Sequence, residues 1–289
     1  MPLFSPHPLS TGCPPPWASA WGQDRYGPWA ALCVGEVEQR LRWIPPGRFW
    51  MGSLGSERGR DEDEGPQHEV QISQGFWLFD APCTQALWQA VMGENPSRFQ
   101  KGDWQERPVE QVSWEDCQQF IARLNAQLPE LASALPSEAE WEYACRAGTT
   151  TARYAEKLDA IAWYDRNSKG ETHPVKLKQP NAWGLYDMLG NVDEWCYDGR
   201  RAYTAASVVD PLGPTTAGAH RVIRGGDWFW FAQDVRSAYR YADSPGYRYG
   251  NLGFRCASSS QASKMTRREE TDGGRARVRA EPTPPAAGR

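Results

Sequence analysis

The residue types that could carry redox or metal chemistry are scattered along the chain. Seven cysteines stand at positions 13, 33, 83, 117, 145, 196 and 256, with no two closer than 20 residues. A zinc knuckle or a redox pair needs cysteines a few residues apart, and a disulfide scaffold needs a dense, even set. This spacing reads instead as small buried side chains in a reducing compartment. Four histidines, His7, His68, His173 and His220, include no two within five residues, so no helical metal pair is present. There is no G-x-S-x-G elbow, no phosphate-binding P-loop, no H-E-x-x-H and no G-x-G-x-x-G. One segment is dense in a different chemistry. Residues 228–249 hold eight aromatic side chains, Trp228, Phe229, Trp230, Phe231, Tyr239, Tyr241, Tyr247 and Tyr249, where the chain average is 12%.

An extended run such as WFWF sends successive rings to opposite sides, so one sheet face cannot bury them all. Each ring carries about 150–250 Å². Four exposed together make a patch of roughly 600–1,000 Å², above the roughly 300–600 Å² usual for a monomer's largest patch. Tyrosine and tryptophan supply large rigid contact area at low entropic cost, which suits recognition. The expectation is a binding surface, with Trp228 and Tyr239 inside and Phe229, Trp230, Phe231, Tyr241, Tyr247 and Tyr249 outside. The competing reading is that all these rings fill a loop-rich core.

Short elements must position this segment. Thr84 caps a helix that buries Leu87 and Val91 and stops at Gly93. Ser113 and Asp116 form a capping box before Cys117, Phe120, Ile121 and Leu124 at helical spacing. Ser137 and Glu140 open a third helix that carries Trp141, Ala144 and Cys145 and ends at Gly148. Strands are expected at 37–44, 69–72, 76–79 and 221–224. With 27 Gly and 23 Pro, the remainder is long irregular connection, and the class is α+β.

The 289 residues suit one large domain over 17–256, a flexible Pro-rich segment at 1–16 and a disordered tail at 257–289 with seven basic and four acidic residues. The tail could touch an acidic partner or stay solvated. The net charge of −4 argues against nucleic acid held by phosphate contacts. No apolar run approaches the 18 residues of a membrane span, and the N-terminus lacks the features of a secretory signal. A cytoplasmic protein is expected.

Several segments in order and spacing carry a resemblance: RWIPPGRFWMGS (42–53), GPQHEVQIS (65–73), TQALWQAVMG (84–93), RPVEQVSWEDCQQF (107–120), LPSEAEWEYACRAGT (135–149), NAWGLYDMLGNVDEW (181–195), RVIRGGDW (221–228) and NLGFR (251–255). Over roughly 42–256 the chain resembles the formylglycine-generating enzyme, or sulfatase-modifying factor, family. The resemblance implies a C-type-lectin-like fold with short strands, few helices and long irregular loops. The Gly225–Gly226 pair allows a tight turn. Arg224 and Arg255 read as buried clamps on carbonyls or carboxylates, and Trp141, Trp183 and Trp195 as core.

The family's enzymes oxidise a substrate cysteine with copper held by two thiolates, which Cu(I) favours. In this chain no cysteine lies between Gly225 and Arg255. The first family position falls near Trp230 and the second near Asp234 or Val235, so no copper site and no formylglycine formation are expected. The family's other, sulfoxide-forming branch binds iron through a separate histidine domain, and the histidine pattern for it is missing as well. A structural Ca²⁺ carried over from the family would sit on Asp187, Gly190, Val192 and Glu194. One departure lies in that motif, where Asp193 replaces a usual Trp.

The frame R-V-I-R-G-G…G-F-R also resembles, more narrowly, the variable proteins of diversity-generating retroelements. That likeness implies a ligand-binding face on Phe229, Trp230, Phe231, Asp234, Tyr241, Ala242, Asp243, Tyr247, Tyr249, Gly250 and Asn251, with a protein or other macromolecule as partner. Val235, Arg236, Ser237 and Ala238 read as fixed frame. The alternatives are a copper-dependent formylglycine-generating oxidase and an accessory protein-interaction domain of a bacterial signalling system.

Overall fold

The computed structural model describes residues 14–258. The expectations for residues 1–13 and 259–289 lie outside the described residues, but the tail expected from 257 is corrected at its start, where Ala257 and Ser258 pair as a strand with Leu78 and Trp77. Thirteen strands and four helices form along this span. The largest sheet has the order β1 (Ala20–Asp24), β2 (Gly27–Val34), β3 (Val37–Ile44), β6 (Phe76–Phe79), β13 (Ala257–Ser258) and β7 (Ser133–Ala134). The second sheet runs β11 (Arg240–Asp243), β10 (Arg221–Arg224), β8 (Asp193–Gly199) and β12 (Leu252–Gly253). A third joins β4 (Gly47–Met51), β5 (His68–Ile72) and β9 (Val208–Val209). The class is α+β with the C-type-lectin-like character expected.

Helix starts follow the caps. Thr84 accepts from the Leu87 N–H at the head of α1 (Gln85–Met92), which ends on left-handed Gly93. Ser113 and Asp116 form a reciprocal capping box at α2 (Trp114–Gln127), and Ser137 and Glu140 do so at α3 (Glu138–Arg146). The short helix α4 (Leu158–Ile161) has no side-chain cap.

Central strands separate two cores. In β6, Trp77 and Phe79 enter one cluster with Trp88, Phe120, Leu124 and Phe254. Phe76 and Leu78, on the other side of the pleat, enter a second with Trp141, Tyr143 and Leu189. The same alternation divides β8, with Trp195 and Tyr197 in the first cluster and Cys196 in the second, and β10, with Ile223 and Val222. Trp141 and Trp195 are fully buried, while Trp183 is half-buried against the second core.

A fold with so much irregular backbone leaves many carbonyls without ladder partners, and buried carbonyls need donors. Arginines supply them. Arg255 bonds the carbonyls of Phe79, Tyr186 and Asp187 at 2.9–3.2 Å while its Nε and one outer nitrogen grip Glu194 at 2.7 Å. Arg224 bonds the Tyr239 carbonyl and the Glu142 carboxylate. Arg240 grips Glu138 at 2.6 and 2.8 Å, and Arg236 grips Glu64 at 2.6 and 2.8 Å. The clamps expected at Arg224 and Arg255 are present.

Candidate functional site

β10 pairs antiparallel with β11, placing Ile223 opposite Tyr241 and Arg224 opposite Arg240. β8 lies on the other edge of β10, and β12 runs parallel to β8 with Leu252 opposite Asp193. Beyond β10 the chain leaves the sheet through Gly225 and Gly226, at φ +111° and +70°. A Cβ on Gly226 would stand 3.1 Å from Val235 Cγ2, so this corner requires glycine.

Asp227 then sets a turn. Its Oδ1 accepts from the Phe229 N–H at 2.5 Å and its carbonyl from the Trp230 N–H at 3.3 Å. The turn exposes Phe229 and Phe231, at 65% and 64%, and tucks Trp230 between them, half-buried. The expected alternation is therefore reached through a turn and not through an extended strand. Tyr247 and Tyr249 form the other lobe, 50% and 40% exposed, with ring centroids 5.7 Å apart. Trp228 is half-buried against Phe99 at 5.5 Å, and Tyr239 is buried. Trp230 and Tyr241, expected outside, are half-buried against the cores.

The second lobe is tied down at several points. Arg248 grips Asp116, in the first turn of α2, at 2.7 and 2.8 Å. The Gln111 N–H donates to the Tyr249 carbonyl at 2.9 Å. The Trp228 indole donates to the Gly250 carbonyl at 2.9 Å, linking the two lobes. The hydroxyls of Tyr241 and Tyr249 both donate to Asp243 Oδ2, at 2.5 and 3.4 Å.

Between the lobes lies a pocket of about 110 Å³ lined by Asp193, Trp230, Tyr241, Tyr249, Asn251 and Leu252. Asp193 is its acidic element. Its Oδ1 accepts from the Gly226 N–H and its Oδ2 from the Trp230 indole, each at 2.9 Å. Its carboxyl also hydrogen-bonds that of Asp227, whose Oδ2 accepts from the Asn251 amide at 2.5 Å. Burial, and then the neighbouring Asp227, push the Asp193 carboxyl well above the usual carboxylate range. Burial pushes Asp227 up to about 6. Two carboxyls this close cannot both ionise cheaply, so the pair holds one proton between them. Beneath Gly250 lies a further buried acid, Glu110. Its Oε1 accepts from the Phe99 N–H at 2.8 Å, its Oε2 has no partner, and burial pushes it up to about 7.

Of the residues expected on the face, Trp230, Tyr241, Tyr249 and Asn251 come together at the pocket. Phe229, Phe231 and Tyr247 stand outside it and exposed. Asp243 and Gly250 hold its rim. Ala242 is half-buried in the ladder opposite Val222. Asp234 does not line the pocket, and the charges acting on it are those of Arg236, Asp61 and Glu64. The pairing of Asp193 with Asp227 was not anticipated. Its signal was present, because Asp193 replaces the expected Trp and Trp230 falls near an expected Cys, and these two departures touch each other.

The acids of the calcium set inferred from the family resemblance share a guanidinium. Both oxygens of Glu194 are taken by Arg255, and one also accepts from the Trp141 indole at 2.8 Å. The Asp187 carbonyl accepts from the same guanidinium at 3.1 Å, whereas the buried Asp187 Oδ1 has no partner. Asp187 Oδ2 accepts from the Lys176 N–H at 2.8 Å. No cysteine stands at the family's copper positions near Trp230 and Asp234. Cys83, Cys117, Cys145, Cys196 and Cys256 are fully buried, and burial pushes their thiols upward, to about 12 for Cys145 and Cys256. His68 and His173 each bond a carbonyl, those of Pro66 and Ser168. Among the described residues, no helix is long and apolar enough to cross a membrane.

Comparison with known proteins places the chain. It is 37% identical over 174 residues to the formylglycine-generating enzyme of Streptomyces coelicolor, covering 53% of each chain. It is 32% identical over 244 residues to the serine/threonine-protein kinase pkn1 of Chlamydia caviae, covering 74% of this chain and 37% of that one. The chain thus spans about half or less of these relatives' lengths. Among solved structures it resembles Treponema denticola variable protein 1, with a TM-score of 0.72 and 31% identity over 80% of this chain and 98% of the other. PvdO from Pseudomonas aeruginosa follows the same fold, at a TM-score of 0.65 and 25% identity over 83% of this chain and 98% of the other. Residues 34–260 match the family model described as sulfatase-modifying factor enzyme 1-like domain, and the chain belongs to that family.

Proposed function

We propose that the protein is a non-catalytic ligand-binding protein that presents residues 228–250 as its recognition surface, of the kind diversified by retroelements. One observation carries this reading. Four aromatic rings, Phe229, Phe231, Tyr247 and Tyr249, stand exposed in two lobes around a pocket, where the family's enzymes would need thiolates. Exposed rings on a rigid frame are costly in water unless they meet a partner. The similarity to Treponema denticola variable protein 1 supports the same reading. The kinase relative supports a form of it in which the domain serves as the binding part of a signalling protein. The ligand is a protein or other macromolecule. Free cysteines throughout the described core support a cytoplasmic location.

The test is a selection of binders from a displayed random-peptide library. Replacing Phe229, Phe231 and Tyr247 together by alanine is expected to weaken the selected binders at least about tenfold, since anchors of this kind cost about 2 kcal/mol or more when truncated. The melting temperature should stay nearly unchanged. Binders indifferent to the triple change would overturn the reading. A neighbouring reverse transcriptase and a near-copy of the 221–255 coding sequence differing only at adenines would support the diversified form.

The relatives named formylglycine-generating enzyme favour a second reading, copper-dependent oxidation of a peptide cysteine. It requires a thiolate pair that this chain lacks near Trp230 and Asp234. Aldehyde formation on a cysteine peptide in the presence of copper would establish it.

A further inference from the structure

The pocket between the two lobes has a chemistry of its own. Its walls are three aromatic rings, Trp230, Tyr241 and Tyr249, and the one ionisable acid lining it is Asp193. Asp227 stands behind Asp193, and Asp243 sits at the rim bonded to both tyrosine hydroxyls. A phenol that donates to a carboxylate has a more electron-rich ring, and an electron-rich π-face attracts cations. No basic residue lines the pocket. The nearby arginines are engaged elsewhere, Arg248 with Asp116 and Arg98 over the Phe99 ring at 5.2 Å. The Asp193–Asp227 pair, holding one proton between two carboxyls, keeps one negative charge beside the pocket.

We propose that this pocket receives a cationic side chain, a lysine or arginine, of a protein partner. The proposal rests on the reading of the 228–250 face as a protein-binding surface and assigns its central subsite. The exposed rings of Phe229, Phe231 and Tyr247 supply apolar contact area around it, while the pocket selects for charge. An anionic side chain would meet Asp193 and Asp243. A neutral aliphatic chain of the same length would fill the space without using either the π-faces or the acidic groups.

The test follows the indole N–H resonance of Trp230 by nitrogen-15 NMR, since that proton is bonded to Asp193. The probes are the N-acetyl methylamides of lysine, arginine, norleucine and glutamate. The lysine and arginine probes are expected to shift the signal saturably and to bind at least about fivefold more tightly than norleucine, the size of one cation–π contact. Asp243→Asn and, separately, Tyr249→Ala should each weaken that preference. The second variant alters an exposed ring and keeps the test valid if the first fails to fold. Norleucine binding as well as lysine would overturn the cationic assignment while leaving the surface reading intact. Absence of any shift with lysine and arginine would also overturn it, whereas loss of the surface reading would appear separately, as peptide binders indifferent to Phe229, Phe231 and Tyr247.

Discussion

Asp193 does what the tryptophan of its motif could not. It accepts from the Trp230 indole and the Gly226 amide and shares a proton with Asp227. In the unfolded chain such carboxyls titrate near about 4. Folding raises both, so the folded state binds the extra proton. The stability tied to the pair is complete below about pH 4 and is lost as pH climbs through about 6. Asp193→Asn carries the neutral form at every pH. Its cost relative to the natural chain should therefore shrink, or reverse, between about pH 5 and pH 8 in urea denaturation. A cost that grows with pH would contradict the shared proton. At this scale the sequence was legible where a side chain acts locally, as at Ser113 and Ser137, and opaque where it acts across the chain. Nothing in the local pattern ties position 193 to 227 or 194 to 255, so the guanidinium on Glu194, a ligand of the carried-over calcium set, was not visible.

The elements divide along the same line. The helices α1, α2 and α3 were legible from caps and periodic apolar residues, because both signals sit within a dozen positions. β3, β5, β6 and β10 were legible from β-branched or alternating runs. β8 was not, because all seven of its residues are buried and the acids Asp193, Glu194 and Asp198 find partners far away in sequence. β11 and β12 were hidden because their neighbours along the chain are turns. The loop following β11 has one exposed side-chain anchor to α2, the Arg248–Asp116 pair. Arg248→Ala removes an exposed ion pair, worth at most about 1 kcal/mol, so the melting temperature should barely move. The Gln111 amide, which bonds the Tyr249 carbonyl, should nevertheless exchange faster in hydrogen-exchange mass spectrometry. Unchanged exchange would mean that the backbone bonds and Trp228 hold the loop without the ion pair.

Across the whole molecule, charge inside the core takes over part of the role that regular ladders play elsewhere. Glu142 on α3 accepts from Arg146 at 2.8 Å, from the Gly52 amide at 2.8 Å and from Arg224 on β10. It thereby joins α3 to two sheets. The two arginines hold its carboxyl below the usual range against the opposing effect of burial. Glu142→Gln keeps the volume and leaves two buried guanidinium groups short of a counter-charge, an expected loss of about 3–5 kcal/mol in equilibrium unfolding. A loss below about 1 kcal/mol would show that the neighbouring Glu138 compensates. The α+β class and the family frame were visible in the sequence, but the arginine–glutamate lattice was not, since its partners lie up to 179 positions apart.

The grip on the outer loop is mostly backbone. Gln111 holds the carbonyl of Tyr249, Trp228 that of Gly250, and Asp193 donates its amide to the carbonyl of Asn251. Every amino acid brings those same atoms. The posture of the tip is thus largely indifferent to which side chains it carries at 229, 231 and 247, and new specificities could be written there without renegotiating the architecture underneath.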